Sequence, residues 1–269
     1  MYDARMTSTD VRPGTLAATS GGAGDNALVL IHGFPLTSEM WRPQVDALAS
    51  QSLRVVAPDL PGCGGTPGAV SSVDDAADAI AAFITEIGAR RVVLGGFSMG
   101  GYIAFAFARK HAAMLRGLIL VDTKAESDTD EARQGRYAMA ERVRAEGTSV
   151  VIDAMIPRLL SDATRSDRHE VVQQVRDIAS RVTVDGVTGA LHAMAERPSS
   201  VEDLPRISVP ALIIVGEHDV ITPPSDAEAM ASAIPESKLV LIREAGHLTP
   251  LEQPDEVNRA IRSWLGSLG

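Results

Sequence analysis

The chain reads Gly96-Phe97-Ser98-Met99-Gly100 directly after the apolar run 91–95 and directly before the helix-like run 101–108. This order predicts a serine on a sharp turn between a strand and a helix. Such a turn needs small residues around its centre, because Cβ atoms there would collide with the neighbouring strand and helix. The Ser98 side chain would then project into a cleft. The Met99 backbone N–H would point the same way, where the helix dipole helps it to stabilise an oxyanion.

A second predicted strand, 27–31, leads into the loop His32-Gly33-Phe34-Pro35. Glycine after the strand lets the chain turn close to the strand that carries Ser98. That turn is expected to bring the Phe34 backbone N–H beside the Met99 backbone N–H. The two amides are therefore the predicted oxyanion hole, whereas the plainer alternative is an ordinary Gly-Pro turn.

A nucleophilic serine needs a base and a residue that orients the base. His247 follows the predicted last strand, 238–242, and Asp219 ends the turn after the predicted strand 210–215. From those loops both side chains can reach across the carboxyl edge of the sheet towards Ser98. The alternative is a plain strand-to-helix turn in which Ser98 only caps a helix.

The acid has an alternative in Asp122, which also follows a buried-looking strand, 117–121. Both aspartates would stand on the same edge of the sheet. Asp219 is favoured because Pro223 and Pro224 can start a helix that fixes its turn.

The base has an alternative in His218, which is adjacent to Asp219. Neighbouring residues on an extended segment point apart, so His247 is favoured as the base. His32 is expected to support the oxyanion loop through hydrogen bonds. The remaining histidines lie in mostly polar, helix-like stretches and are expected to be solvated: His111, His169 and His192.

Strand and helix patterns alternate along most of the chain. The predicted strands lie near 28–31, 53–57, 91–95, 117–121, 210–215 and 238–242, with up to two weak strands within 1–27. One helix is expected to begin after Ser72, and the last helix is expected to begin near Pro254. This alternation predicts an α/β fold with a mostly parallel sheet, covered by helices on both faces.

The alternation stops between Asp122 and about Pro205, where three or four amphipathic helices are predicted. We expect residues 123–205 to form an inserted helical cap on a core of residues 1–122 and 206–269. The polar stretch 126–131 is typical of a solvated helix start.

Together these motifs resemble the α/β-hydrolase superfamily, in its branch of small bacterial esterases, lactonases and cofactor-free perhydrolases. The matching stretches are 32–35, 59–62, 96–100, 216–219 and 245–247. The resemblance implies the α/β-hydrolase fold and fits the chain order serine, acid, histidine.

By resemblance, Ser98 is the nucleophile, His247 the general base and Asp219 its orienting acid, with the Phe34 and Met99 amides as the oxyanion hole. A serine stands where family members that open epoxides or displace halide usually carry aspartate, which implies an acyl-enzyme and carbonyl substrates. The resemblance also implies that the cap covers the cleft and that some of its apolar residues line a pocket above Ser98.

The composition of the chain limits the kinds of partner that it can bind. The formal net charge of −10 disfavours nucleic acid and anionic membrane, and fits a small uncharged substrate.

The apolar stretch 92–108 is shorter than the roughly 20 residues of a membrane span, and no leader pattern appears, so a cytoplasmic location is expected. The single cysteine, Cys63, excludes an internal disulfide, and no motif for a metal or a cofactor occurs.

The sequence therefore predicts a serine hydrolase that cleaves small apolar carboxylic esters or lactones through an acyl-enzyme, with no cofactor and no metal. One alternative is acyl transfer to an acceptor other than water, such as peroxide or an alcohol. Another is a ligand-binding protein on the same fold. The oligomeric state is not predicted.

Overall fold

The structure is a computed structural model that describes residues 16–268, so part of the predicted weak strands lies outside the described residues. Within that range the strands are β1 (Ala18–Gly21), β2 (Asn26–Ile31), β3 (Leu53–Pro58), β4 (Val92–Phe97), β5 (Leu115–Val121), β6 (Ala211–Gly216) and β7 (Ser237–Ile242). They form one sheet in the order β1-β3-β2-β4-β5-β6-β7. Only the pair β1 and β3 is antiparallel, which confirms the mostly parallel sheet.

The burial of the strands follows their place in the sheet. Every residue of β4 and β6 is buried, because parallel strands inside a doubly covered sheet have no solvent face. The edge strand β7 instead leaves Leu239 and Leu241 exposed. The carboxyl ends of the parallel strands meet at one edge of the sheet, and the loops that follow them carry the predicted site residues.

The helices of the described chain fall between and after these strands. They are α1 (Arg42–Leu48), α2 (Val73–Glu86), α3 (Met99–His111), α4 (Asp130–Glu146), α5 (Ser149–Leu159), α6 (Asp162–Asp167), α7 (His169–Ala179), α8 (Val184–Ala195), α9 (Pro224–Ala233), α10 (Thr249–Glu252) and α11 (Pro254–Leu265). Short 3₁₀ helices cover Ser38–Trp41, Ala112–Met114 and Val201–Arg206. Between residues 16 and 268, no helix combines the length and the apolar character needed to cross a membrane.

Two predicted helix starts are confirmed. The Ser72 hydroxyl accepts a hydrogen bond from the Asp75 backbone N–H at 3.0 Å, which caps α2 at its first turn. Helix α11 begins at Pro254 and buries Val257, Ile261 and Trp264 on one face, as their spacing predicts.

Helices α4 to α8, residues 130–195, lie between β5 and β6, and we refer to them as the helical insertion. The insertion has five helices, so the prediction of three or four is too low. The six-residue helix α6 is too short to show an apolar period. Its start is nevertheless marked in the sequence by Ser161, whose hydroxyl accepts from the Thr164 backbone N–H at 3.2 Å.

The predicted solvated helix start at 126–131 is wrong at Asp128. This carboxylate is buried, and it pairs with Arg136 and, at 2.9 Å, with the buried Arg197. The Arg197 guanidinium also lies over the Tyr102 ring of α3, 4.0 Å from its centroid. Asp128 can leave water because cations from later in the chain compensate its charge, which the local sequence does not show.

The turn between β4 and α3 is packed as tightly as its glycines predict. A Cβ atom on Gly96 would lie 2.6 Å from the Gly101 backbone nitrogen. A Cβ atom on Gly100 would lie 2.9 Å from the His32 carbonyl oxygen and would also clash with Ile31. Backbone therefore lies where a side chain would begin, both within the turn and between α3 and the end of β2.

We expect Gly100→Ala to lower the free energy of unfolding and Gly135→Ala to raise it, although the chemical change is the same. A Cβ atom on Gly135, exposed in α4, would meet no atom within 4 Å, so alanine gains about 0.5–1 kcal/mol from helix propensity alone. At Gly100 the new methyl group must push backbone aside. Denaturant unfolding measures both effects, and a Gly100→Ala protein as stable as wild type would contradict the close approach.

Candidate active site

Ser98 occupies the turn in a backbone conformation that is rare for a residue with a side chain, with φ 51° and ψ −113°. Hydrogen bonds on both sides hold it there. The Ser98 N–H donates to the Val121 carbonyl at 2.9 Å. The Ser98 carbonyl accepts from the Thr123 hydroxyl and from the Gly101 N–H, both at 2.8 Å. The neighbouring strand end and the first turn of α3 therefore fix the direction of the Ser98 side chain, which is only partly buried.

The structure brings Ser98, His247 and Asp219 together in one chain of hydrogen bonds. The Ser98 Oγ atom lies 2.9 Å from His247 Nε2, and His247 Nδ1 lies 2.8 Å from Asp219 Oδ2. The side chains of His247 and Asp219 are 1% and 0% exposed. The imidazole therefore bridges a buried carboxylate and a hydroxyl that solvent can reach.

The partners of Asp219 define the proton positions on His247. Asp219 Oδ1 accepts from the Ile221 and Thr222 backbone N–H groups at 2.8 and 3.0 Å. Asp219 Oδ2 accepts from the Thr222 hydroxyl at 2.7 Å as well as from His247. A carboxylate only accepts, so the proton lies on Nδ1, and Nε2 is left to accept from the Ser98 hydroxyl.

Thr222 is not among the predicted site residues, although it makes two of the four contacts to the Asp219 carboxylate. Its signal in the sequence is its position three residues after an aspartate, which is typical of a turn closed by the aspartate side chain.

The electrostatics of Asp219 follow from these contacts. Burial by itself would raise the pKa of the Asp219 carboxyl. The adjacent His247 and the hydrogen bonds from His247 and Thr222 outweigh burial, so the pKa lies below its ordinary value. Asp219 therefore remains an anion in its buried position.

Asp122, the alternative acid, has other partners. Its Oδ1 accepts from the Gly216 N–H at 2.9 Å, and its Oδ2 accepts from the Thr249 hydroxyl and N–H at 2.6 and 3.2 Å. Burial and the charge of Asp219 hold the pKa of Asp122 well above its ordinary value, and the bonds from Thr249 and Gly216 offset only part of this. Asp122 thus links the end of β6 to the loop that carries His247.

The alternative base and the histidines expected to be solvated face solvent or other partners. The side chain of His218, the alternative base, is 57% exposed and lies 3.9 Å from Glu217. His111 contacts Asp78 at 2.7 Å, and the three histidines expected to be solvated are half-buried or exposed: His111, His169 and His192.

The predicted oxyanion amides both lie next to the tight turn. A Cβ atom on Gly33 would lie 2.9 Å from the Phe97 carbonyl oxygen, so the loop that carries Phe34 contacts the end of β4 as predicted. Met99 is the first residue of α3. Among the described residues, neither the Phe34 N–H nor the Met99 N–H donates a hydrogen bond to the protein.

His32 supports this loop with its ring, as predicted. The Leu60 N–H donates to His32 Nε2 at 3.0 Å, and since an amide N–H can only donate, that nitrogen carries no proton. His32 Nδ1 then donates to the Gly33 carbonyl at 3.0 Å. Burial lowers the pKa of His32, although the nearby Asp59 and the bond to Gly33 act in the opposite direction. The ring is therefore neutral in the folded protein.

Within residues 16–268, no group of three or more histidine, cysteine, aspartate or glutamate side chains is arranged to hold a metal ion. Cys63 is buried and has a free thiol, and burial raises its pKa to about 12. This thiol is therefore protonated near neutral pH.

Comparisons with known proteins agree with the geometry of the fold. A family model described as the alpha/beta hydrolase fold matches residues 26–254. The solved structure of a thermophilic esterase from Thermogutta terrifontis is 44% identical, with a TM-score of 0.90, over 94% of this chain and 93% of that chain. The 3-oxoadipate enol-lactonase 2 of Acinetobacter baylyi is 26% identical over 91% of each chain.

A further curated relative is longer than this chain. The dihydrolipoyllysine-residue acetyltransferase component of the acetoin cleaving system of Pseudomonas putida is 29% identical over 91% of this chain. The match covers only 65% of that protein's length.

We expect the neutral state of His32 to make stability fall with acidification. Because its pKa is lower in the folded than in the unfolded chain, the unfolded chain binds the proton first. The contribution of neutral His32 to the free energy of unfolding is complete above the unfolded pKa of about 6.5 and is lost as the pH falls below it. Denaturant unfolding between about pH 7 and pH 5.5 should give a steeper loss for wild type than for His32→Gln. Equal slopes would contradict a buried neutral His32.

Proposed function

Because the chain belongs to the α/β hydrolase fold family, we propose that it is a serine hydrolase that cleaves small apolar carboxylic esters or lactones through an acyl-enzyme. The observation that carries the proposal is the continuous hydrogen-bond chain from Ser98 through His247 to Asp219. Such a chain turns an unreactive hydroxyl into a nucleophile, because the base accepts its proton as the hydroxyl attacks.

The first half of the reaction forms the acyl-enzyme. Ser98 Oγ attacks the carbonyl carbon of the ester while its proton moves to His247 Nε2. Asp219 stabilises the imidazolium, and the Phe34 and Met99 N–H groups bind the oxyanion of the tetrahedral intermediate. The intermediate collapses when the bond to the leaving oxygen breaks, and His247 gives the proton to that oxygen. An alcohol leaves, or, from a lactone, the hydroxyl end stays joined to the acyl group.

The second half releases the acid. A water molecule attacks the acyl carbonyl carbon while His247 Nε2 takes one of its protons. The same two amides bind the second oxyanion, and the ester bond to Ser98 breaks as His247 returns the proton to Oγ. The carboxylic acid leaves, and the enzyme is restored.

The proposed substrate class rests on the relatives and on the insertion. Two of the similar proteins are named an esterase and an enol-lactonase, and both names refer to the cleavage of ester bonds. We propose further that residues 123–205 form a cap on a core of residues 1–122 and 206–269, of which 1–15 and 269 lie outside the described residues. The contact between α6 and the His247 loop supports this cap. A Cβ atom on Gly246, next to His247, would lie 2.6 Å from the backbone nitrogen of Ser161, the residue that precedes α6. An insertion this close to the base favours small acyl groups.

We expect the purified protein to hydrolyse short p-nitrophenyl esters or simple lactones, and we expect a fluorophosphonate to label Ser98 stoichiometrically. Ser98→Ala should lower kcat by about 10⁴-fold or more and abolish labelling, because no other group replaces the nucleophile. Steady-state kinetics and peptide mass spectrometry measure the two effects. Circular dichroism is the control for folding. A folded Ser98→Ala protein that hydrolyses these esters at the wild-type rate would refute the proposal.

We expect Asp219→Asn and Asp122→Asn to have different effects. Asp219→Asn removes the charge that holds the Nδ1 proton, so kcat should fall by about 10⁴-fold while the fold is retained. Asp122→Asn places an amide against the donors of Gly216 and Thr249, so it should chiefly lower Tm and lose far less of kcat. Kinetics and thermal unfolding of the matched pair separate the two roles. The reverse pattern would make Asp122 the orienting acid.

A further inference from the structure

A third buried carboxylate lies next to the candidate site, at Glu252, the last residue of α10. Its Oε1 atom accepts from the backbone N–H groups of Gly246 at 2.8 Å and Leu248 at 3.4 Å. Its Oε2 atom accepts from the backbone N–H of Ser161 at 2.9 Å. Backbone donors therefore satisfy both oxygens of a fully buried side chain.

The donors to Oε1 are the two residues that flank His247. One oxygen atom therefore holds the backbone on both sides of the imidazole. Thr249, which follows Leu248, donates to Asp122. Glu252 and Asp122 are therefore two buried carboxylates that anchor the loop from 246 to 249. The position of His247 relative to Ser98 depends on this loop, because the imidazole is carried by it.

The donor to Oε2 belongs to the helical insertion. Ser161 caps α6, and Arg168, which follows the end of α6, donates to the Glu252 carbonyl oxygen. The loop and the insertion are also in direct contact, since a Cβ atom on Gly246 would lie 2.9 Å from the Leu160 carbonyl carbon. Glu252 therefore joins the His247 loop to the start and the end of α6.

From this geometry we infer that Glu252 is a positioning residue, which fixes the His247 loop to the helical insertion and so keeps His247 Nε2 within hydrogen-bond distance of Ser98. The inference rests on the proposed function, because positioning is defined by the transfer of the Ser98 proton. It assigns the insertion a part in aligning the base in addition to covering the cleft.

The first variant is Glu252→Gln, which keeps the volume of the side chain but offers one acceptor oxygen instead of two. The amide NH₂ must then face either the Gly246 and Leu248 donors or the Ser161 donor, so one of the two links breaks. A displacement of about 1 Å at a catalytic group can cost on the order of 100-fold in rate. We expect kcat and the rate of Ser98 phosphonylation to fall together by roughly 10- to 100-fold, with KM nearly unchanged.

A matched pair of variants at Ser161 tests the same link from the helical insertion. Ser161→Pro removes the N–H that donates to Glu252 and places a ring carbon against the carboxylate, so the link is broken and Glu252 is displaced. The backbone dihedral angles admit proline, since Ser161 has φ −59° and Leu160 is extended. Ser161→Ala is the control, because it keeps the N–H and loses only the hydroxyl, which proline loses too. We expect Ser161→Pro to have a kcat and a phosphonylation rate several-fold below those of Ser161→Ala.

The outcomes separate the inference from the proposed function. Equal kcat and equal phosphonylation rates for Ser161→Pro and Ser161→Ala would overturn the positioning role, and so would a folded Glu252→Gln protein with wild-type values. A change in KM alone would also overturn it, because it would indicate a role in substrate binding. If Glu252→Gln does not fold, the Ser161 pair decides. If the phosphonate fails to label Ser98 in wild type, the proposed function fails first.

Discussion

The candidate site depends on the close approach of backbone segments at the carboxyl edge of the sheet. At Gly33, Gly100, Gly216 and Gly246, a Cβ atom would lie within 3 Å of backbone from a neighbouring strand end or loop. These contacts bring the ends of β2, β4 and β6 and the loop after β7 closer together than side chains would allow. The contact between Gly216 and Gly246 places the backbone that leads to Asp219 against the loop that carries His247, where the 2.8 Å hydrogen bond between these two side chains forms.

Three buried carboxylates contact the loop that carries His247, and their hydrogen-bond partners distinguish them. Asp219 contacts His247 and a turn of backbone donors, and its pKa lies below the ordinary value. Asp122 contacts only neutral donors and has the charge of Asp219 nearby, and its pKa lies well above the ordinary value. Glu252 accepts from three backbone N–H groups on two different segments. The role of each carboxylate is therefore defined by its hydrogen-bond partners and not by its residue type.

The sheet could be predicted from the sequence because its strands are short, continuously apolar runs that end in recognisable turns. The serine, the histidine and both candidate acids could be predicted for the same reason, since parallel strands place their following loops at one edge. Glu252 could not be predicted, because its partner Ser161 lies 91 residues away and both residues are ordinary in their local sequence. The burial of Asp128 also depends on distant cations, and α6 is too short for periodicity to reveal.

Rapid acid quenching shows directly whether Ser98 carries the acyl group during turnover. The protein would be mixed with an excess of a p-nitrophenyl ester, quenched in acid within the first turnovers, and digested for peptide mass spectrometry. We expect the peptide that contains Ser98 to gain the mass of the acyl group, in proportion to an initial burst of p-nitrophenol. Steady hydrolysis with an unmodified Ser98 peptide and an acyl group on another side chain would contradict the role of Ser98 as the nucleophile.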